Sequence, residues 1–200
     1  MKHLRVLIFF PLMLYAQSEY ISNSSFGVKG DIVSSFNDKV SGLGSDIGIS
    51  VSSVFDVGFE YISSSYEQSG KLIYAAYNFK IKNNSLKVLL GYSHISNNSD
   101  LNVAGPLLGI LFSPKIFENE WICLLPGVGF SMAILSASNE NRYSNTDHNI
   151  SVGLEFNVIP KINKKFYLVL ASSLSESISD QKAPMIYSFS FGVLYNIPKQ

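Results

Sequence analysis

From Phe26 onward the large apolar residues of this chain recur at every second position, a period that suits extended strands and not amphipathic helices. Within Leu43–Val51 the odd positions carry Leu43, Ile47, Ile49 and Val51, and Gly44, Asp46, Gly48 and Ser50 lie between them. The pattern returns in Phe55, Val57, Phe59 and Tyr61, then in Ile73, Ala75, Tyr77, Phe79 and Ile81. It is repeated by Leu86, Val88, Leu90 and Tyr92, by alternate residues of Ile150–Val158, and by alternate residues of Tyr187–Tyr195. Shorter or less regular runs are Phe26–Val33, Leu107–Ser113, Ile122–Ile134 and Phe166–Leu170. Together they predict ten strands, with eight as the alternative count. Pro126 lacks an N–H, so an irregularity is expected where it interrupts its strand.

Alternation alone also fits a soluble sheet, and the content of the two faces separates the cases. The apolar face of the predicted strands carries no Lys, Arg, Asp or Glu. A lipid-facing Lys or Arg near a bilayer centre costs about 2–4 kcal/mol, so hydrocarbon demands a clean face. The opposite face holds Gly27, Gly42, Gly44, Gly48, Gly58, Gly91, Gly109, Gly127, Gly129, Gly153 and Gly192, with many serines. Small side chains suit the concave inside of a narrow barrel. Lys29, Asp31, Asp46, Asp56, Glu60, Lys80, Lys87, Glu155 and Lys165 share that face, and their mixed signs predict a salt-bridged network in the lumen. Phe55, Phe79, Phe156, Phe166 and Tyr195 fall toward one end of the strands and Tyr61, Tyr92 and Tyr187 toward the other. Two such belts mark the interfaces of a spanning barrel.

The connections add a second signal. Polar segments near residues 35–41, 63–70, 96–104, 136–148 and 175–184 alternate with tighter links at 52–53, 83–85, 114–119 and 160–164. Long outer loops and short periplasmic turns follow this rule, and an even strand count leaves both termini periplasmic. At the start of the chain, Lys2, His3 and Arg5 precede the apolar run Val6–Tyr15, and Ala16 offers a cleavage point. The expected organisation is a signal peptide at 1–16, a short lead at 17–25, the barrel domain at 26–197 and a tail at 198–200. The fold class is therefore all-β: an antiparallel up-and-down transmembrane β-barrel following a cleaved signal peptide. Formal charge is zero and only 15% of residues are charged, which gives no bulk attraction to nucleic acid. Cys123 is the only cysteine, so no disulfide can form within the chain.

The layout from Phe26 to Ile197 resembles the OmpA/OmpX-like superfamily of small outer-membrane barrels. Its most specific part is Tyr187-Ser-Phe-Ser-Phe-Gly-Val-Leu-Tyr195, similar to the aromatic terminal strand read by barrel-assembly machinery, although here Asn196–Gln200 follow it. The resemblance implies a bacterial outer-membrane location, with membrane lipids and the assembly machinery as partners; an extracellular ligand is left unspecified. Fold does not carry activity with it.

Chemistry-bearing residues are sparse. His94-Ile95-Ser96-Asn97 resembles the His-x-Ser-Asn segment of outer-membrane lipid A deacylases, which implies His94 and Ser96 as catalytic candidates. An acid to orient His94 is not convincingly placed, because Asp100 lies in a loop and Glu118 and Glu120 fall at the far end. His94 and His148 lack ligand spacing, and Asn145-Thr146-Asp147-His148 reads as a polar loop, so no metal or cofactor is expected. The functional expectation is a barrel with a filled polar lumen and a structural or surface-interaction role through its outer loops. The alternatives are a narrow channel for ions or small solutes, and a lipid-modifying enzyme.

Overall fold

The computed structural model describes residues 24–37, 40–65, 68–82, 84–97, 102–138, 145–180 and 183–198. The predicted signal peptide and most of the lead lie outside them. The strands are β1 (Ser24–Phe36), β2 (Ser41–Val51), β3 (Phe55–Ser64), β4 (Gln68–Ile81), β5 (Asn84–Asn97) and β6 (Asn102–Pro114). They continue as β7 (Phe117–Glu118), β8 (Ile122–Ser138), β9 (Asn145–Pro160), β10 (Phe166–Ser177) and β11 (Ile186–Pro198). Consecutive long strands pair antiparallel, and β11 returns to β1 along a register from Phe36↔Tyr187 to Phe26↔Ile197. β6 pairs with β8, and β7 is a two-residue piece lying on the end of β8. The sheet is therefore a closed barrel of ten long strands. Closure gives every long strand two neighbours, the condition a sheet must meet where no water can satisfy an edge.

The period-two pattern sets which face is which. Ile47, Phe59, Phe156 and Phe191 do not meet in a shared core; each is between 40% and 59% exposed on the outside of the barrel. Asp46, Glu60 and Glu155, one position away from these outward residues, are buried inside. Tight turns join the strands at one end. In the β2–β3 hairpin, Ser52 and Ser53 have φ of 54° and 56° and Val54 N–H donates to Val51 O at 3.1 Å, the left-handed two-residue turn that matches strand twist.

Proline marks the two breaks in the β6–β8 ladder. Pairing stops at Phe112↔Val128 and resumes as Phe117↔Leu124 on β7, so the expected irregularity at Pro126 lies on this side. On its other side Pro126 stays in register with Phe156 of β9. A second break skips Gly105 and Pro106 between Ala104↔Ser136 and Leu107↔Ala133. There Pro106 offers no N–H.

Four expectations need correction. Three of the polar segments read as long loops, 63–70, 96–104 and 136–148, are strand over most of their described residues: β8 has 17 residues and β9 has 16, several more than the roughly 9–11 that cross a bilayer. Strand β6 begins at Asn102 rather than at Leu107, because the segment Asn102-Val-Ala-Gly-Pro106 extends the ladder along β5. Because β4 and β10 are longer than their apolar runs, they add Lys71 and Glu176 to the outward face, near the ends remote from the tight turns. The fourth concerns the lumen, which is not polar throughout. β5, β6, β8 and β10 are in part apolar on both faces, as at Leu89/Leu90 and Leu124/Leu125, and one residue of each such pair must point inward.

Candidate functional site: the filled lumen

The inward side chains form a charged layer bounded by apolar clusters. Lys29 and Asp31 come from β1, Asp46 from β2, Asp56 and Glu60 from β3, Lys87 from β5 and Glu155 from β9, and all are buried. Lys29 pairs with Asp31, and its Nζ lies 3.5 Å from Asp46 Oδ2. Lys87 Nζ lies 3.4 Å from Asp56 Oδ2, which also accepts from Asn78 Nδ2 at 3.0 Å. Tyr74 OH donates to Asp46 Oδ1 at 3.4 Å, and Asn157 Nδ2 donates to Glu155. Glu155 stands on β9, across the ring from β3. Lys29 and Lys87 thus pair with Asp31, Asp46 and Asp56, and Glu60 and Glu155 are buried on the same inward face. The sequence-level list differs at two positions. Lys80 and Lys165 are exposed at the tight-turn end, because each lies at or beyond the end of its strand, where the lumen opens to solvent.

Glycine makes the room for this layer. A Cβ on Gly58 would run into the Tyr74 ring, and a Cβ on Gly192 would run into the Asp31 carboxylate. The glycines gathered on the inward face therefore act as sockets for large neighbours on adjacent strands.

Apolar clusters share the inward face with these charges. Cys123, Leu125, Ile159, Val169 and Leu194 pack together toward the tight-turn end, with Tyr167 against them. Ile95, Val103, Ala133 and Leu135 pack together toward the opposite end. Leu72, Tyr74, Ala76, Leu89 and Leu111 line the wall between, and Val33, Ile62 and Ala171 bridge β1, β3 and β10. Sequence reasoning missed these clusters. Their one legible signal was the unbroken apolar runs in β5, β8 and β10.

His94 and Ser96 both lie on the outward face of β5, two residues apart. Ser96 Oγ is 3.0 Å from Ser69 Oγ on β4, and His94 stands in register between Lys71 and Ala104. Glu118 and Glu120 are at the other end of the barrel, and Asp100 lies outside the described residues. Asp147 Oδ1 accepts from the backbone N–H of His148 at 2.7 Å in the exposed extension of β9. Among the described residues no three His, Cys, Asp or Glu converge as metal ligands. On the outer surface a groove of about 520 Å³ runs between Ile32, Phe156, Leu170 and Phe191, within the apolar face.

No family model matches the sequence, and no curated protein matches it. Solved structures do match. The translocator domain of the autotransporter NalP from Neisseria meningitidis aligns with a TM-score of 0.53 at 12% identity, covering 92% of this chain and 93% of that one. The β domain of the Bordetella autotransporter BrkA aligns with a TM-score of 0.52 at 13% identity, covering 86% of this chain and 100% of that one. This chain has the fold of a bacterial outer-membrane β-barrel. Neisserial surface protein A also aligns, with a TM-score of 0.47 at 13% identity over 87% of this chain and 98% of that one. The barrel turns its apolar girdle outward and a set of charged side chains inward. Aromatic contacts fit that assignment: Phe166 packs on Tyr195 at 4.8 Å at one end, and Phe36 stacks on Tyr187 at 5.7 Å at the other.

Proposed function

We propose that this barrel is a plugged outer-membrane scaffold that presents the polar ends of its strands to the surroundings and conducts nothing through its centre. The observation that carries this reading is the filling of the lumen. Lys29 and Lys87 are 0% exposed, and the clusters around Leu125 and Leu135 occupy the inward face toward either end. The extension of β8 and β9 past the apolar girdle supplies the presenting surface. It is polar and internally tied: Asn149 Oδ1 accepts from Ser177 Oγ at 2.8 Å and from Ser179 Oγ at 3.3 Å, and Ser136 Oγ lies 3.3 Å from Thr146 Oγ1. In this reading both termini and the tight turns are periplasmic, and β11 is the strand that the assembly machinery engages before it closes on β1.

Planar-bilayer recording on the purified full chain tests the proposal. Membranes holding folded protein, identified by its heat-modifiable gel mobility, should show no reproducible unitary steps. Discrete steps of constant size would reject the plug and favour the narrow channel. For the lipid-modifying alternative the measure is lipid A deacylation by the wild type and by Ser96→Ala. The scaffold reading expects neither to release acyl chains.

A further inference from the structure

Charge is distributed unevenly along the barrel axis. At the tight-turn end the described residues include Lys80, Lys82, Lys115, Lys161, Lys164 and Lys165 against Glu118 and Glu120. At the opposite end they include Lys71 against Asp147, Glu176 and Asp180. Two neighbouring turns at the basic end, residues 115–121 and 161–165, are built into one platform. Lys161 N–H donates to Trp121 O at 2.7 Å, and Lys161 Nζ donates to Asn119 O at 2.8 Å and to Glu118 Oε1 at 2.7 Å. Glu118 Oε2 accepts from Lys115 Nζ at 2.6 Å. Glu118 therefore engages two of the lysines. Lys164 and Lys165 extend from a turn pinned by Asn163 Oδ1, which accepts from the Lys165 and Phe166 N–H groups at 2.8 and 2.9 Å. Beside them Ile116, Phe117, Ile162 and Trp121 are exposed, Trp121 at 74%.

Long basic side chains set among exposed aliphatic and aromatic ones at the rim of a lipid-facing girdle are a combination that solvent alone does not favour. It suits a membrane interface: the rings sit at headgroup level and the lysine stems lie along apolar surface while their ammonium groups reach outward. A headgroup region bearing negative charge completes the match. We propose that the platform of residues 115–121 and 161–165, with Lys82 of the β4–β5 turn, selects anionic glycerophospholipids in the leaflet that surrounds the tight-turn end. This rests on the reading that the barrel spans a membrane, and it adds which lipid the barrel gathers and where.

The chain's single tryptophan is Trp121, so its fluorescence reports on this platform alone. The full chain is reconstituted into phosphatidylcholine vesicles containing a minor fraction of phosphatidylglycerol in both leaflets. Bromine is carried either on the phosphatidylglycerol or on an equal mole fraction of the phosphatidylcholine. Selection predicts that brominated phosphatidylglycerol quenches Trp121 about three-fold or more as efficiently as brominated phosphatidylcholine, because several lysines act on one headgroup region. Inorganic phosphate in the buffer should leave that ratio unchanged; its collapse with phosphate would mean a generic anion site and overturn the lipid assignment. In the triple variant Lys82→Gln, Lys164→Gln, Lys165→Gln the ratio should fall to near one. The variant's heat-modifiable mobility confirms that it has folded. Equal quenching in the wild type, or an undiminished ratio in the folded variant, overturns lipid selection and leaves the barrel assignment standing. No quenching by either lipid in the wild type overturns both.

Discussion

Replacing Lys29 with methionine tests whether the lumen is dry. Lys29 is fully buried, pairs with Asp31 and lies 3.5 Å from Asp46, whose other oxygen accepts from Tyr74. Methionine keeps much of the side-chain length and removes the charge, so both carboxylates lose their principal counter-ion. Breaking a buried pair by removing one partner costs about 3–5 kcal/mol, because the remaining charge stays desolvated. An exposed pair is worth only about 0–1 kcal/mol. A water-filled channel would put Lys29 near the second range, and a packed plug puts it in the first. The assay is urea unfolding of the refolded barrel in lipid vesicles, followed by the gel shift between compact and extended forms. Adding Asp46→Asn to Lys29→Met should recover part of the loss, since the double change removes a charge from each sign. A loss of less than about 1 kcal/mol for Lys29→Met, with no recovery in the double variant, would refute the dry-lumen argument.

Four further outcomes are expected. Ile47→Arg places a cation on the outward face at mid-strand and should cost about 2–4 kcal/mol of folding free energy in vesicles if that face meets hydrocarbon, against nearly nothing for Lys71→Arg at the rim. Gly58→Val should displace the Tyr74 ring and weaken its bond to Asp46, lowering the urea midpoint, whereas Gly30→Ala, with open space around its Cβ position, should not. Burial pulls the Glu118 pKa upward, but the hydrogen bonds and charges of Lys115 and Lys161 outweigh it and hold the carboxyl below its usual range. A folded-state pKa below the unfolded one stabilises fully above the ordinary carboxylate range and loses that contribution as pH falls through the lowered value. Glu118 is partly exposed, so screening keeps the effect to about 0.2–1 kcal/mol, and Glu118→Gln should abolish that acid-side component in unfolding titrations. Cys123, buried among Leu125, Ile159 and Leu194, should resist a membrane-impermeant thiol reagent in the folded barrel and react at once in urea; fast labelling of folded protein would show that the cluster is open.

The outward set was legible because strand side chains alternate strictly and hydrocarbon tolerates almost no charge, so Ile47, Phe59, Phe156 and Phe191 could be assigned to lipid from spacing and composition. Ten long strands and the irregularity at Pro126 followed from the same period and from a missing N–H. The lumen was half legible. Lys29, Asp31, Asp46, Asp56, Glu60, Lys87 and Glu155 stand out as charges in apolar strands, and parity sends them inside. Who pairs with whom was out of reach, because Lys29 meets Asp46 through the β1–β2 register and Lys87 of β5 meets Asp56 of β3 across the intervening β4. Lys80 and Lys165 were misassigned because parity alone does not say how far along the axis the lumen ends. The apolar clusters around Leu125 and Leu135 were hidden for a related reason. Where a strand is greasy on both sides its period carries no sign, and only closure against the opposite wall makes one of two adjacent leucines interior. Local alternation determined the strands and the outward face; the circumference, the ion pairs and the apolar clusters were decided by ring closure, which brings together residues far apart in the chain.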